Sequence, residues 1–113
     1  MKSARTAAIL LTVGAATAAN AKDTRFWNLT AHTIISLQLS PAGNNDWGPD
    51  QIVNDPDHSV DHDERLKITG APSGRYDVKF IDNTGRHCLI AGVDIREGAV
   101  FAIEEKKLGD CGK

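Results

Sequence analysis

Long apolar runs are missing from this chain. The run from Ala7 to Ala19 is the most apolar stretch, and it falls well short of the ~20 residues a membrane-spanning helix requires. Catalytic signatures are missing too. The sequence holds no glycine-rich phosphate loop, no G-x-S-x-G elbow, no H-E-x-x-H and no C-x-x-C, so none of the chemistries that depend on those spacings is indicated. Helical periodicity is almost absent after Ala21, which argues against a helical bundle. Cysteine occurs only twice, at Cys88 and Cys111, and tryptophan only twice, at Trp27 and Trp47.

What is present begins with an export pattern. Lys2 and Arg5 precede the apolar run, and Ala19-Asn20-Ala21 places small residues at −3 and −1 of a cleavage point after Ala21. This is the layout of a cleaved signal peptide over residues 1–21. It predicts a periplasmic or secreted protein with one domain over residues 22–113 and no membrane span after cleavage. No cysteine stands at the cleavage point for a lipid anchor, and no Arg-Arg pair marks a twin-arginine route. The whole chain has 13 basic and 15 acidic residues. Losing Lys2 and Arg5 leaves the mature chain at a formal net charge of −4. That weighs against nucleic acid and anionic lipid as partners, because both need a basic surface.

A domain of about 90 residues has a marginal core. In an oxidising compartment Cys88 and Cys111 allow a single intramolecular bridge, worth on the order of 3 kcal/mol in the chain-entropy model. The competing reading is a pair of free thiols, one of them catalytic. His87 adjoins Cys88, but strand neighbours point to opposite faces, which is poor geometry for a dyad.

Alternation of apolar and polar residues is frequent, as expected of half-buried strands. It marks Arg25 to Thr30, then "TIISLQLS" with Ile35, Leu37 and Leu39 on one face, then "RLKITG" with Leu66 and Ile68 inward. "RYDVKFID" carries Tyr76, Val78 and Phe80, and Asp82-Asn83-Thr84-Gly85 reads as a hairpin turn. "RHCLIAGVDI" is interrupted at Gly92, a signal for a bulge. In "AVFAIEEKK" either Phe101 and Ile103 or Val100 and Ala102 face inward. Turn signals every 8–12 residues or so predict an all-β fold, a small antiparallel β-sandwich of about 6–7 strands, immunoglobulin-like or related.

Two irregular segments, 41–51 and 54–64, are the places to look for function. The first, "PAGNNDWGPDQ", exposes Asn44, Asn45, Asp46 and Trp47 as candidate partner contacts. Tryptophan is a strong recognition anchor; the alternative is that Trp47 folds back and plugs the end of the sandwich. The second, "NDPDHSVDHDE", makes His58, Asp61, His62 and Asp63 candidate ligands for a divalent metal. The alternative there is a solvated acidic turn. The EF-hand pattern is not met, and Asp55-Pro56 disfavours a helix that would align the histidines. No other cofactor is implied.

One combination of motifs resembles a known group. Asn28 and Thr30, then Leu37, Ser40, Pro41, Trp47, Gly48 and Asp50, then Tyr76-Asp77-Val78-Lys79 are similar to the pattern of a family of small exported bacterial proteins without an assigned activity. That pattern is an N-x-T strand, an S-P-x5-W-G-x-(D/N) loop and a Y-D-(I/V)-(R/K) strand. The resemblance implies a secreted or periplasmic β-sandwich and supplies no catalytic residues. Asp57 to Ile68 departs from the pattern, so the acidic loop inherits no role from it. The resulting expectation is a non-catalytic module that binds a protein or a cell-envelope component. The alternative is a metal-binding or pH-sensing protein built on the 54–64 loop, where histidine titration would fall near neutrality.

Overall fold

The computed structural model describes residues 22–113; the signal-peptide expectation lies outside them. The chain forms seven strands: β1 (Thr24–Leu29), β2 (Ile34–Pro41), β3 (Arg65–Ile68), β4 (Gly74–Asp82), β5 (His87–Ile95), β6 (Val100–Glu104) and β7 (Asp110–Gly112). Two short 3-10 turns, Gln51–Asn54 and Glu105–Lys107, complete the described elements. The strands make two sheets, ordered β3-β1-β6 and β2-β4-β5-β7. The fold is a small β-sandwich.

Each sheet buries one face, as the alternation requires. Phe26, Leu66, Ile68, Phe101 and Ile103 come from the first sheet, and Ile34, Leu37, Leu39, Val78, Phe80, Cys88 and Ile95 from the second. Phe26 and Phe101 pack with ring centroids 5.5 Å apart. For β6 the inward pair is therefore Phe101 and Ile103, and Val100 is half exposed. At the start of β4 the Tyr76 hydroxyl donates to the carbonyl of Pro72 at 2.6 Å. This clamps the corner where the chain passes from one sheet to the other, in the manner of a tyrosine corner.

Three details depart from the sequence pattern. A bulge between Ile34 and Ser36 shifts the register of β2. Ile34 therefore joins Leu37 and Leu39 in the core, and Ile35 is turned outward at 44% exposure. An extra residue in one strand inverts the face of everything before it, and period-2 reading places Ile35 on the wrong side. Second, the pairing of β1 with β6 is parallel, while the other four strand pairs are antiparallel. Alternation reports which face a residue takes and is blind to strand direction. Third, β7 has no alternating pattern of its own. It forms where Cys111 is bonded to Cys88, directly opposite it in the ladder.

The bulge expected at Gly92 is present. The β4–β5 register slips between Tyr76 and Val78, and Gly92 takes φ +66°, the left-handed region that favours glycine. Its amide donates to Asp77 Oδ1 at 3.0 Å. The turn after Asp82 is also as expected, with Gly85 at φ +86° and its amide bonded to the carbonyl of Asp82.

Candidate binding groove on the four-stranded sheet

The 42–50 segment folds back along β2, the edge strand of its sheet. An open edge offers unpaired amides and carbonyls to other chains. Here the loop occupies two of them, the Leu37 amide and the Leu39 carbonyl. The Gly48 amide donates to the carbonyl of Leu39 at 2.9 Å. Asp50 accepts from the Leu37 amide through Oδ1 and from the Ser36 hydroxyl through Oδ2, both at 2.8 Å. Gln38 Nε2 donates to the carbonyl of Gly48, and the Asp46 amide donates to Ser40 Oγ. Further along the same edge, Ile34 and Val60 exchange both backbone hydrogen bonds at 2.9 Å. Asp77 holds the loop's start by accepting from the Gly43 amide. The amides of Gly43 and Gly92 keep the Asp77 carboxyl below the usual range.

This anchoring places Trp47. Its ring lies on the solvent face of the four-stranded sheet, half buried, with Lys79 Nζ 4.5 Å from the ring centroid. The plug at the end of the core is not what forms. Beside the ring runs an open groove of about 560 Å³. Two rows of outward side chains cross its floor. One is Gln38, Lys79, Leu89 and Asp110; the other is Ser36, Ile81 and His87. Leu89 is 40% exposed, high for a leucine in the middle of a strand. The groove therefore has an apolar centre and a polar rim, the composition of small-ligand sites.

Of the partner-contact residues read from the sequence, Trp47 and Asn45 line this groove. Asn44 and Asp46 are exposed on the same loop but are not part of its lining. Sequence reasoning missed Lys79, Ile81, His87, Leu89 and Asp110. The available signal was apolar residues at outward positions, Ile81 and Leu89, in strands whose inward positions were already apolar.

The 54–64 segment is built differently. Asn28, fully buried, organises it. Its Nδ2 donates to the carbonyls of His32 and Val60, and its Oδ1 accepts from the Thr30 amide and hydroxyl. The acidic side chains are spent on local bonds. Asp55 accepts from the amides of Asp57 and Ser59, and Asp61 from the Thr33 hydroxyl. Asp63 accepts from Trp27 Nε1 at 3.0 Å. His62 Nδ1 lies 2.8 Å from the Thr30 carbonyl, which can only accept, so the proton is on Nδ1. His58 and Asp63 both take positive φ, +53° and +72°. His58, Asp61, His62 and Asp63 are not brought together. Among the described residues no group of three or more histidine, cysteine or carboxylate side chains is placed to hold an ion.

A charge network centred on Asp82 joins the turn after β4 to the Glu105–Lys107 turn. Asp82 is fully buried. Burial pushes its pKa up. The Thr84 hydroxyl, the Arg86 and Thr84 amides and the Arg86 side chain together outweigh that and bring it from 3.8 down to about 2. Arg86 also makes a two-pronged contact with Glu105, at 2.8 and 3.1 Å. That contact, with the Ala31 amide, lowers Glu105 to about 2, and Glu105 in turn raises Arg86. No buried side-chain polar atom among the described residues lacks a partner, so this network is structural.

Fold and groove together define a class: a disulfide-linked β-sandwich with a side-chain-lined groove on one sheet face. Comparison with protein-family models, with curated proteins and with solved structures returned no match to this chain. Among the described residues no helix is long and apolar enough to cross a membrane.

Proposed function

We propose that this protein is an exported, non-catalytic binding module and that the groove beside Trp47 is its recognition surface. The observation that carries the reading is the placement of Trp47. A large ring is held partly exposed on a rigid sheet by a loop whose backbone is tied down at both ends. Rigid, partly exposed aromatics bind well because little conformational freedom is lost on contact. Export to the periplasm or cell exterior is supported by the Lys2, Arg5, Ala7–Ala19 and Ala19-Asn20-Ala21 pattern and by the Cys88–Cys111 disulfide, a bond that persists in oxidising compartments. The resemblance to small exported bacterial proteins agrees with this reading and adds no activity to it.

Two substitutions test the role of the ring. Trp47→Ala is expected to cost less than about 1.5 kcal/mol, because the ring lies outside the core. Phe80→Ala, in the core, is expected to cost about 3–5 kcal/mol. Equal losses in urea unfolding would show that Trp47 is part of the structural core, and the reading would fail. Fractionation of cells expressing the chain with and without residues 1–21 tests export.

A further inference from the structure

We infer that the Trp47 groove takes an acidic saccharide, with a pyranose ring against the indole and a sugar carboxylate on Lys79. This rests on the reading of the groove as a recognition surface and names its ligand class.

A peptide adding as a strand needs free backbone donors and acceptors at a sheet edge. Along β2, the edge beside Trp47, the Ile34 amide and carbonyl, the Leu37 amide and the Leu39 carbonyl are already taken by Val60, Asp50 and Gly48. The groove lies on the sheet face instead, where only side chains are offered. Recognition there must come from a flat apolar surface and from side-chain hydrogen bonds. Pyranose rings present apolar C–H faces and an equatorial belt of hydroxyls, which matches an indole in a groove also lined by Asn45, Gln38, His87 and Asp110.

Lys79 makes no ion pair among the described residues; its ammonium rests over the Trp47 ring. An aromatic face does not neutralise a cation as a carboxylate does. Across the sheet, the row runs from Lys79 through Leu89 to Asp110. The cationic and anionic ends are two strand spacings apart, roughly 10 Å. A sugar carboxylate fits the Lys79 end. The Asp110 end accepts hydroxyl hydrogens from the next sugar unit, and exposed Leu89 faces the ring between them.

The test uses the mature chain with Trp27→Phe, so that Trp47 is the only indole. An oligogalacturonate and a neutral oligogalactose of equal length are titrated against its fluorescence. The oligogalacturonate is expected to shift Trp47 emission and to bind about tenfold or more tighter than the neutral oligomer, the worth of one charge-assisted hydrogen bond. Lys79→Gln should reduce oligogalacturonate affinity to that of the neutral oligomer and leave the melting temperature unchanged. Trp47→Ala, followed by calorimetry, should abolish binding of both. Equal affinity for the two oligomers, or binding of neither, overturns the inference. If instead soluble envelope proteins shift the 19F resonance of a 5-fluorotryptophan at position 47 and the sugars do not, the saccharide is wrong and the recognition surface stands. If neither sugars nor envelope proteins shift it, both readings fall.

Discussion

The carboxylate of Asp50 accepts the backbone amide of Leu37 at 2.8 Å, 13 residues back along the chain. A side chain from the loop thus takes the place that a neighbouring strand would hold. The same carboxylate accepts from the Ser36 hydroxyl and caps the 3-10 turn through the Ile52 amide. One residue closes the sheet edge, ends the Trp47 loop and starts the next turn.

Asp50→Ala should therefore destabilise the protein by about 2–3 kcal/mol, because it leaves the Leu37 amide without its partner. It should also free Trp47, seen as a red shift and loss of anisotropy in its emission. Asp50→Asn, which keeps one acceptor, should lose less. An unchanged urea midpoint in Asp50→Ala would mean that water replaces the carboxylate at no cost, and that the edge is not closed by this contact.

Asn28 makes the strongest case in the second loop. It is fully buried and uses both ends of its amide in four hydrogen bonds. Asn28→Ala should cost about 3 kcal/mol, since it leaves the buried Thr30 amide without its acceptor and removes one donor each from the His32 and Val60 carbonyls. Hydrogen exchange should report faster opening of residues 54–64 and 30–33. Asn28→Asp should be nearly as damaging, because a carboxylate cannot donate to two carbonyls.

The Asp82–Arg86–Glu105 network sets an acid limit on stability. Both carboxyls titrate lower in the folded protein, near 2, than in the unfolded chain, near 3.8 and 4.5. Their contribution is therefore complete above about pH 5 and is lost as pH falls toward 2. For Asp82 the loss is about 2 kcal/mol. Glu105, 43% exposed, adds less because solvent screens it. Unfolding free energies at pH 7, 4 and 2.5 should trace this decline, and Asp82→Asn should flatten it. An equally steep fall in the variant would assign acid sensitivity to other groups.

Removing the Cys88–Cys111 bridge should cost on the order of 3 kcal/mol, since it closes a loop with a sequence separation of 23. The local effect should be larger than the global one. β7 spans three exposed residues, and the disulfide is its covalent tie to β5. In Cys88→Ser/Cys111→Ser, amide exchange at residues 110–112 should approach the unfolded rate while β1 and β4 stay protected. Retained protection of β7 would mean that its backbone pairing suffices.

Much of the sandwich was legible in the residues themselves. Leu66 and Ile68, Val78 and Phe80, and the Gly92 bulge follow from a side-chain period of two and from glycine's access to positive φ. The groove was not. Lys79, Leu89 and Asp110 are far apart in sequence and become a row only through the registers of β4, β5 and β7. Nor did the clustering of Asp55, Asp57, Asp61 and Asp63 mean convergence. The carboxylates of Asp55, Asp61 and Asp63 bond separately to nearby amides, a hydroxyl and an indole, and no three of the acidic groups converge.

The sequence by itself determined six of the seven strands and, for most of them, which side chains face inward. Those are local properties, written in each residue's immediate neighbours. Only the tertiary structure decided that Ile34 is buried and Ile35 is not, that β1 and β6 run parallel, and that Trp47 lies over the outer face of a sheet. Each of these depends on which strand pairs with which and in what register. Strand pairing is set by the packing of the whole core, and no single segment carries it.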